Sequence, residues 1–295
     1  MNQAADAISL LVGFSQGSAS NIVAQIIAPA LGNALGRAIH IVHLPGENGA
    51  LAAEQLARAA ADGNTLGITV QAQLIGSLLG DRRRYNPLQD FSPVALFARN
   101  PMVLAVSNSL NVHSVTDLIA LARSQAEPLV YGASAIGGLP HLAAALFASR
   151  TGIPIRMRVY AETNDLYEDL HNGRIALTFN NTMSALPLAK AGKISILGVT
   201  SLIPSELAPG YPAIAQSALP DFEVMSWVGL WAPAGTPTAI VDRLNAAVTQ
   251  TVQTAAIATA LQDHGIEPVC ETPGYFATHL RNELTRWAPF VARPE

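Results

Sequence analysis

An α/β fold built on largely parallel sheets is predicted for this 295-residue chain from three observations. Short β-branched apolar runs alternate with helical patterns along most of its length, the mark of consecutive βαβ units. Half of the residues are hydrophobic and only 13% are charged, with a mean hydropathy of +0.29, so apolar material suffices for buried sheets and alanine-rich helices. No apolar run approaches the ~18 residues needed to span a bilayer, which assigns that material to a globular core.

The run Ile8 to Val12 reads as the first strand. It enters the polar loop Gly13 to Asn21, and a helix follows with Ile22, Val23, Ile26, Ile27, Leu31 and Leu35 on its pattern; Pro29 is expected to kink or break it. Ile39 to His43 reads as a strand, Leu51 to Ala61 as a helix with a Glu54 and Arg58 pair, and Thr65 to Val70 as a further strand. Met102 to Ser107 is the next strand, and Ser114-x-x-Asp117 opens a helix with a capping-box pattern. Leu129 to Tyr131 then leads into a second glycine-containing loop, Gly132 to Pro140, and a helix from His141 to Arg150. Arg156 to Tyr160, Ile175 to Phe179 and Ile194 to Thr200 read as strands, with helices at Asp165 to Asn172 and Met183 to Ala191. Glu223 to Ala232 is extended and aromatic-rich. Thr236-Pro237 and Thr272-Pro273 each place a cap before a first-position proline, and the second helix carries the core stripe Phe276, Leu280, Leu284 and Trp287.

The segments near 102 and 229 divide the chain into a discontinuous domain, 1–102 with 229–295, and a second domain, 103–228. A cleft between two such domains is a favoured small-molecule site.

Several function classes are disfavoured. A net charge of -4 and a pI near 6.0 argue against nucleic acid, and Arg82-Arg83-Arg84, the only basic run, reads as a solvated loop. His40 and His43 point to opposite faces of a strand and cannot chelate one ion, and no cluster has metal spacing. Gly192-Lys193 lacks the rest of a P-loop, and no G-x-G-x-x-G follows a strand, so no cofactor is expected. The lone Cys270 cannot form an internal disulfide and reads as a buried strand thiol. Met1 to Asp6 shows neither a charged n-region nor a long apolar h-region, as in a cytoplasmic chain or one whose leader an initiator Met has replaced.

The chemistry on offer concentrates in the two loops. A helix N-terminus presents unpaired N–H groups and the positive end of the helix dipole to an anion, and two such loops suit one small anionic ligand. His141 either donates to a ligand carboxylate or caps its own helix, and Gln71 and Gln73 read equally as cleft residues or as exposed turn residues. Phe14, Tyr160 and Trp227 offer apolar walls or packing, with packing favoured for Trp227. The rival reading is a serine hydrolase, because Gly13-Phe14-Ser15-Gln16-Gly17 matches the nucleophile elbow G-x-S-x-G with Ser15 as nucleophile. Against it, only twelve residues precede Gly13, and the candidate bases His264 and His279 lie on predicted C-terminal helices.

From about Ile8 to about Ala292 the chain resembles the Bug-type substrate-binding proteins of tripartite tricarboxylate transporters. The matching pieces include Leu35-Gly36, Pro45-Gly46, Ala61 to Leu66, Tyr85-Asn86-Pro87, Asp90 to Val94, Gly137 with His141-Leu142, Ala191-Gly192-Lys193, Trp227 with Gly229-Leu230, and Ala232 to Pro237. The resemblance implies a type II periplasmic binding-protein fold, with two α/β domains, a central ligand cleft and a two-strand hinge. It also implies a monomeric periplasmic receptor that is not an enzyme and hands a small organic carboxylate to membrane transporter components or a sensor. Carried over, the ligand-binding residues are Phe14, Ser15, Gln16, Gly17, Ser18, Ala19, Ser20 and Asn21 in the first loop. Ser134, Ala135, Ile136, Gly137, Gly138 and His141 form the second, joined by Gln71, Tyr160, Ala161, Asn180 and Asn181.

The chain departs from the family pattern where specificity is set. The usual Pro-Pro-Gly-Gly is Ser15-Gln16-Gly17-Ser18, the usual Asp is Asn21, and the usual Lys-Gly is Ala161-Glu162. Losing an acid at position 21 removes a partner for a ligand ammonium, so a di- or tricarboxylate or an aromatic acid is expected.

Overall fold

Alternating side chains on the first strand fix two apolar layers. Ile8, Leu10 and Val12 enter one core cluster and Leu11 the other, as a fully buried parallel strand requires. The computed structural model describes residues 7–79 and 85–291, which leaves the Arg82 to Arg84 run and the Met1 to Asp6 lead-in outside the described residues.

The chain divides into two compact units, residues 1–99 with 227–295 and residues 100–226. In the first, β1 (Ile8–Val12), α1 (Ala19–Leu35), β2 (Ile39–His43), α2 (Ala50–Ala57), β3 (Thr65–Val70) and α3 (Gln71–Leu79) form successive βαβ turns. β1 lies between β2 and β3, parallel to both, with Val12 level with His43 and Ile68. β4 (Phe91–Val106) then passes into the second unit.

There α4 (Val115–Ser124), β5 (Leu129–Ala133), α5 (Leu139–Thr151), β6 (Ile155–Val159), α6 (Thr163–His171), β7 (Leu177–Asn181), α7 (Thr182–Lys190), β8 (Ser195–Val199) and α8 (Ile214–Ser217) follow. β5 runs parallel to β6 and β7, while β7 and β8 pair antiparallel with β4. β9 (Met225–Pro233) returns the chain to the first unit, antiparallel to β3, and α9 (Thr238–Val252), α10 (Ala255–Gln262), β10 (Glu267–Pro268) and α11 (Pro273–Val291) complete it.

Each unit has its own core. In the first, α1 and α9 cover one sheet face with Val23, Ile27, Leu31, Leu244 and Val248, and α2 and α11 cover the other around Trp227, Trp231, Phe276 and Leu280. Phe91 stacks on Trp231 with ring centroids 4.3 Å apart. In the second, Phe147, Phe179 and Phe222 meet at centroid separations of 5.7 to 6.0 Å, and Val103, Leu166, Leu170 and Ile175 belong to a separate cluster. The α11 stripe is core, with Phe276, Leu280 and Trp287 fully buried.

Several local expectations are corrected. α1 is a single helix through Pro29; the proline and Gln25, whose carbonyl it deprives of a partner, are both exposed, so water can serve that carbonyl. α2 stops at Ala57, although Glu54 and Arg58 still pair at 3.7 Å. Thr236 does not cap α9, because its hydroxyl donates to the Pro233 carbonyl at 2.7 Å and Pro237 occupies the cap position. Thr272 does cap α11, accepting from the Tyr275 N–H at 3.1 Å. At α4, Ser114 accepts from the Asp117 N–H, and the Asp117 carboxylate in return accepts from backbone N–H groups at the cap, from His113 at 3.1 Å and from Ser114. Cys270 is exposed and lies outside any strand, just past β10.

Candidate functional site

In parallel sheets the loops at the carboxyl ends of the strands are where ligands bind, because helix N-termini open there. In the first unit that edge carries the segments after β1, β2 and β3. After β1, Phe14 is half-buried and Ser15, Gln16 and Gly17 are exposed. The Ser18 N–H donates to the Ser15 carbonyl at 3.1 Å, and the turn needs the left-handed φ of +85° at Gly17. Ser18 caps α1 by accepting from the Asn21 N–H at 3.3 Å, and its hydroxyl lies 3.2 Å from that of Ser20. One hydroxyl hydrogen serves that contact and the other is left to donate. The N–H groups of Ala19 and Ser20, in the first turn, have no acceptor within the helix, and no acid stands there.

This loop leans on the one after β2. A Cβ on Gly13 would sit 2.7 Å from the Gly49 Cα and 3.0 Å from its carbonyl oxygen, atoms that cannot swing aside. Gly13→Ala is therefore expected to destabilise the protein by about 1 to 3 kcal/mol, read as a lowered urea midpoint. The sequence reading did not bring the Gly46 to Gly49 turn against the first loop; Glu47 and Asn48 there adopt φ of +47° and +53°.

Gln71 and Gln73 are not exposed turn residues: both are buried at the start of α3. Gln73 is a brace, accepting from the Val70 N–H at 3.1 Å and donating to the Gly49 carbonyl at 3.0 Å. Gln71 donates to Glu283 Oε2 at 2.8 Å. Glu283, on α11, also accepts from the indole N–H groups of Trp287 at 2.9 Å and Trp227 at 3.4 Å, so Trp227 packs as expected. Burial raises the Glu283 pKa although these donors and Arg286 oppose it. Sequence reasoning overlooked Glu283; its signal was an acid three residues after Leu280 and four before Trp287, on the stripe that packs inward.

In the second unit, the carboxyl ends of β5, β6 and β7 supply the other candidates from one edge. Ser134, Ala135 and Ile136 are exposed, Gly137 has φ of +78°, and the Gly138 N–H donates to the Ala135 carbonyl at 3.2 Å. His141 Nδ1 accepts from the Gly137 N–H at 3.2 Å, and burial lowers its pKa. The imidazole is thus held neutral with its proton on Nε2, so one residue both caps the loop and keeps a donor for an anion. After β6, the Tyr160 hydroxyl donates to Asp169 at 2.7 Å, while Arg158 and Arg174 pair with that carboxylate at 3.2 and 2.8 Å. Ala161 is exposed. Asn180 and Asn181 end β7, and Asn181 caps α7 by accepting from the Ser184 N–H at 2.9 Å.

Residues 23–294 match the family described as tripartite tricarboxylate transporter family receptor. The chain belongs to this family. A UPF0065 protein from the tcbD-tcbE intergenic region of a Pseudomonas species is 30% identical over 285 residues, 96% of this chain and 85% of that protein. An R. palustris protein solved with adipate is 34% identical with a TM-score of 0.77, covering 99% of this chain and 97% of that one. MatC of Rhodopseudomonas palustris, solved with bound malate, is 26% identical with a TM-score of 0.74 and covers 97% and 98%.

The α/β units thus have the type II periplasmic binding-protein fold, and the family's members are periplasmic solute receptors rather than enzymes. The local geometry agrees. A nucleophile elbow is a sharp, strained turn directly into its helix, whereas Ser15 is exposed, stands four residues before α1, and has the loop's positive φ at Gly17 instead of its own position. The described part of the chain has no helix long and apolar enough to cross a membrane.

Proposed function

We propose that this chain is a monomeric periplasmic receptor for a small di- or tricarboxylate or aromatic acid, which it delivers to the membrane components of a tripartite transporter. The observation that carries the reading is the make-up of the two loops. Each turns through a left-handed glycine into a helix whose first turn holds no acid, and the available donors are backbone N–H groups, serine hydroxyls and the neutral His141. Such donors stabilise a carboxylate without the desolvation cost of a buried cation. We assign carboxylate binding to Ser15 through Asn21 with Gln71 in the first unit, and to Ser134 through His141 with Tyr160, Ala161, Asn180 and Asn181 in the second. The adipate and malate in the related structures support this ligand class.

A thermal-shift screen against mono-, di- and tricarboxylates, aromatic acids and amino acids tests the proposal. A ligand at about 100 times its dissociation constant stabilises the native state by about 2.7 kcal/mol. A selective rise for one carboxylate class is expected, and no rise with any acid would overturn the reading. Ser18→Ala and Ser20→Ala together should weaken that ligand by about 1 to 3 kcal/mol in titration calorimetry; unchanged affinity would remove the serines from the site.

A further inference from the structure

Buried polar atoms without partners are rare in native proteins, so where they gather is informative. Among the described residues seven side-chain nitrogen or oxygen atoms are buried without a hydrogen bond; three of them, His43 Nδ1, Thr69 Oγ1 and Gln71 Oε1, lie at the carboxyl ends of β2 and β3, and a fourth, Asn21 Oδ1, lies in the first turn of the helix that follows β1. Gln71 is the informative one, because its amide orientation is dictated from behind. The indole N–H groups of Trp227 and Trp287 can only donate, so Glu283 Oε2 accepts from both and takes a third donor from Gln71 Nε2. With Nε2 committed, Oε1 is turned away from Glu283 as an acceptor, in a side chain only 5% exposed. Gln71 follows β3 directly, at the carboxyl end of the strand that runs parallel to β1 with Ile68 paired to Val12.

We propose that the first unit reads a hydroxyl on its carboxylate ligand through Gln71 Oε1, with Glu283 as the positioning residue that fixes the acceptor outward. This rests on the receptor reading and narrows it. The N–H groups of Ala19 and Ser20 take the carboxylate, which can only accept, while Gln71 Oε1 requires a donor that a plain alkyl dicarboxylate lacks. A site built around a buried acceptor discriminates against the analogue without the donor, because that acceptor is then left unmet.

The test is titration calorimetry at pH 7.5 on matched pairs: succinate with malate, glutarate with 2-hydroxyglutarate, and adipate with 2-hydroxyadipate. The expected result is a preference of about tenfold for the hydroxylated member of the pair that binds. Glu283→Ala should collapse that ratio, because it removes the acceptor that fixes Gln71 Nε2 and lets the Gln71 amide turn over. Gln71→Met, which removes the acceptor and keeps the length, should collapse it as well and serves if the Glu283 variant does not fold. Equal affinity for both members, or a preference that survives both substitutions, overturns the assignment to Gln71 and leaves the receptor reading standing. Failure of every acid to bind overturns both.

Discussion

Glu283→Ala should lower the stability of the protein by about 3 to 5 kcal/mol, the cost of breaking a buried polar cluster from its centre. The carboxylate is the acceptor for three buried donors on three elements: Gln71 at the head of α3, Trp227 on β9 and Trp287 on α11. Removing it leaves each donor without a partner in a core that water does not reach, and each such loss costs about 1 to 3 kcal/mol. The Trp227 contact, at 3.4 Å, contributes least. Truncation also opens a cavity beside the packed rings of Trp227 and Phe276. Glu283→Gln should be milder, at about 1 to 2 kcal/mol, because one amide oxygen still accepts while the amide hydrogens have to find new partners. Urea titrations followed by tryptophan fluorescence would measure both, and an alanine variant as stable as the parent would show that the cluster is wet.

How much of this was legible beforehand differs by element. β1, β2 and β3 are bounded as read, because each is a short apolar-rich strand between turn signals. The strand expected from Met102 to Ser107 is the end of a longer one: β4 runs from Phe91, pairing with β10 through Ala98 and Arg99 and with β7 from Met102 onward, and Pro93 and Pro101 within it weaken a strand signal. The two glycine-containing loops were legible because their chemistry is local. The polar cluster behind them was not: Gln71 and Glu283 are 212 residues apart, and only packing joins them. Gln71 and Gln73 look alike in sequence, yet one presents an acceptor and the other braces Gly49, a difference that tertiary hydrogen bonds decide.

Acidification should act on a second, half-buried titratable group of this region. His279 sits on α11 with Nε2 buried and unpartnered, one ring from Trp227 and stacked on Tyr275. Burial, then the charges of Arg99 and Arg286, drive its pKa down to about 4. Because the folded value lies below the ordinary 6.5, the unfolded chain takes up a proton in the interval between them and the native state does not. Stability is therefore full above about pH 6.5 and falls as the pH drops towards 4, by about 3 kcal/mol if this group acts alone. Glu283, one helical turn along, works in the opposite sense. Its pKa is raised by burial, so from its ordinary 4.5 upward to the folded value it binds a proton more readily in the native state and loses stability as the pH rises. The parent should thus show a shallower acid limb than His279 alone would give. Glu283→Gln should steepen it, and His279→Gln, which cannot titrate, should remove the loss and leave only the opposite trend set by Glu283. Melting temperatures at half-unit steps from pH 7.5 to 4 would separate the two, and an unchanged slope in His279→Gln would mean that this histidine is hydrated in the native state.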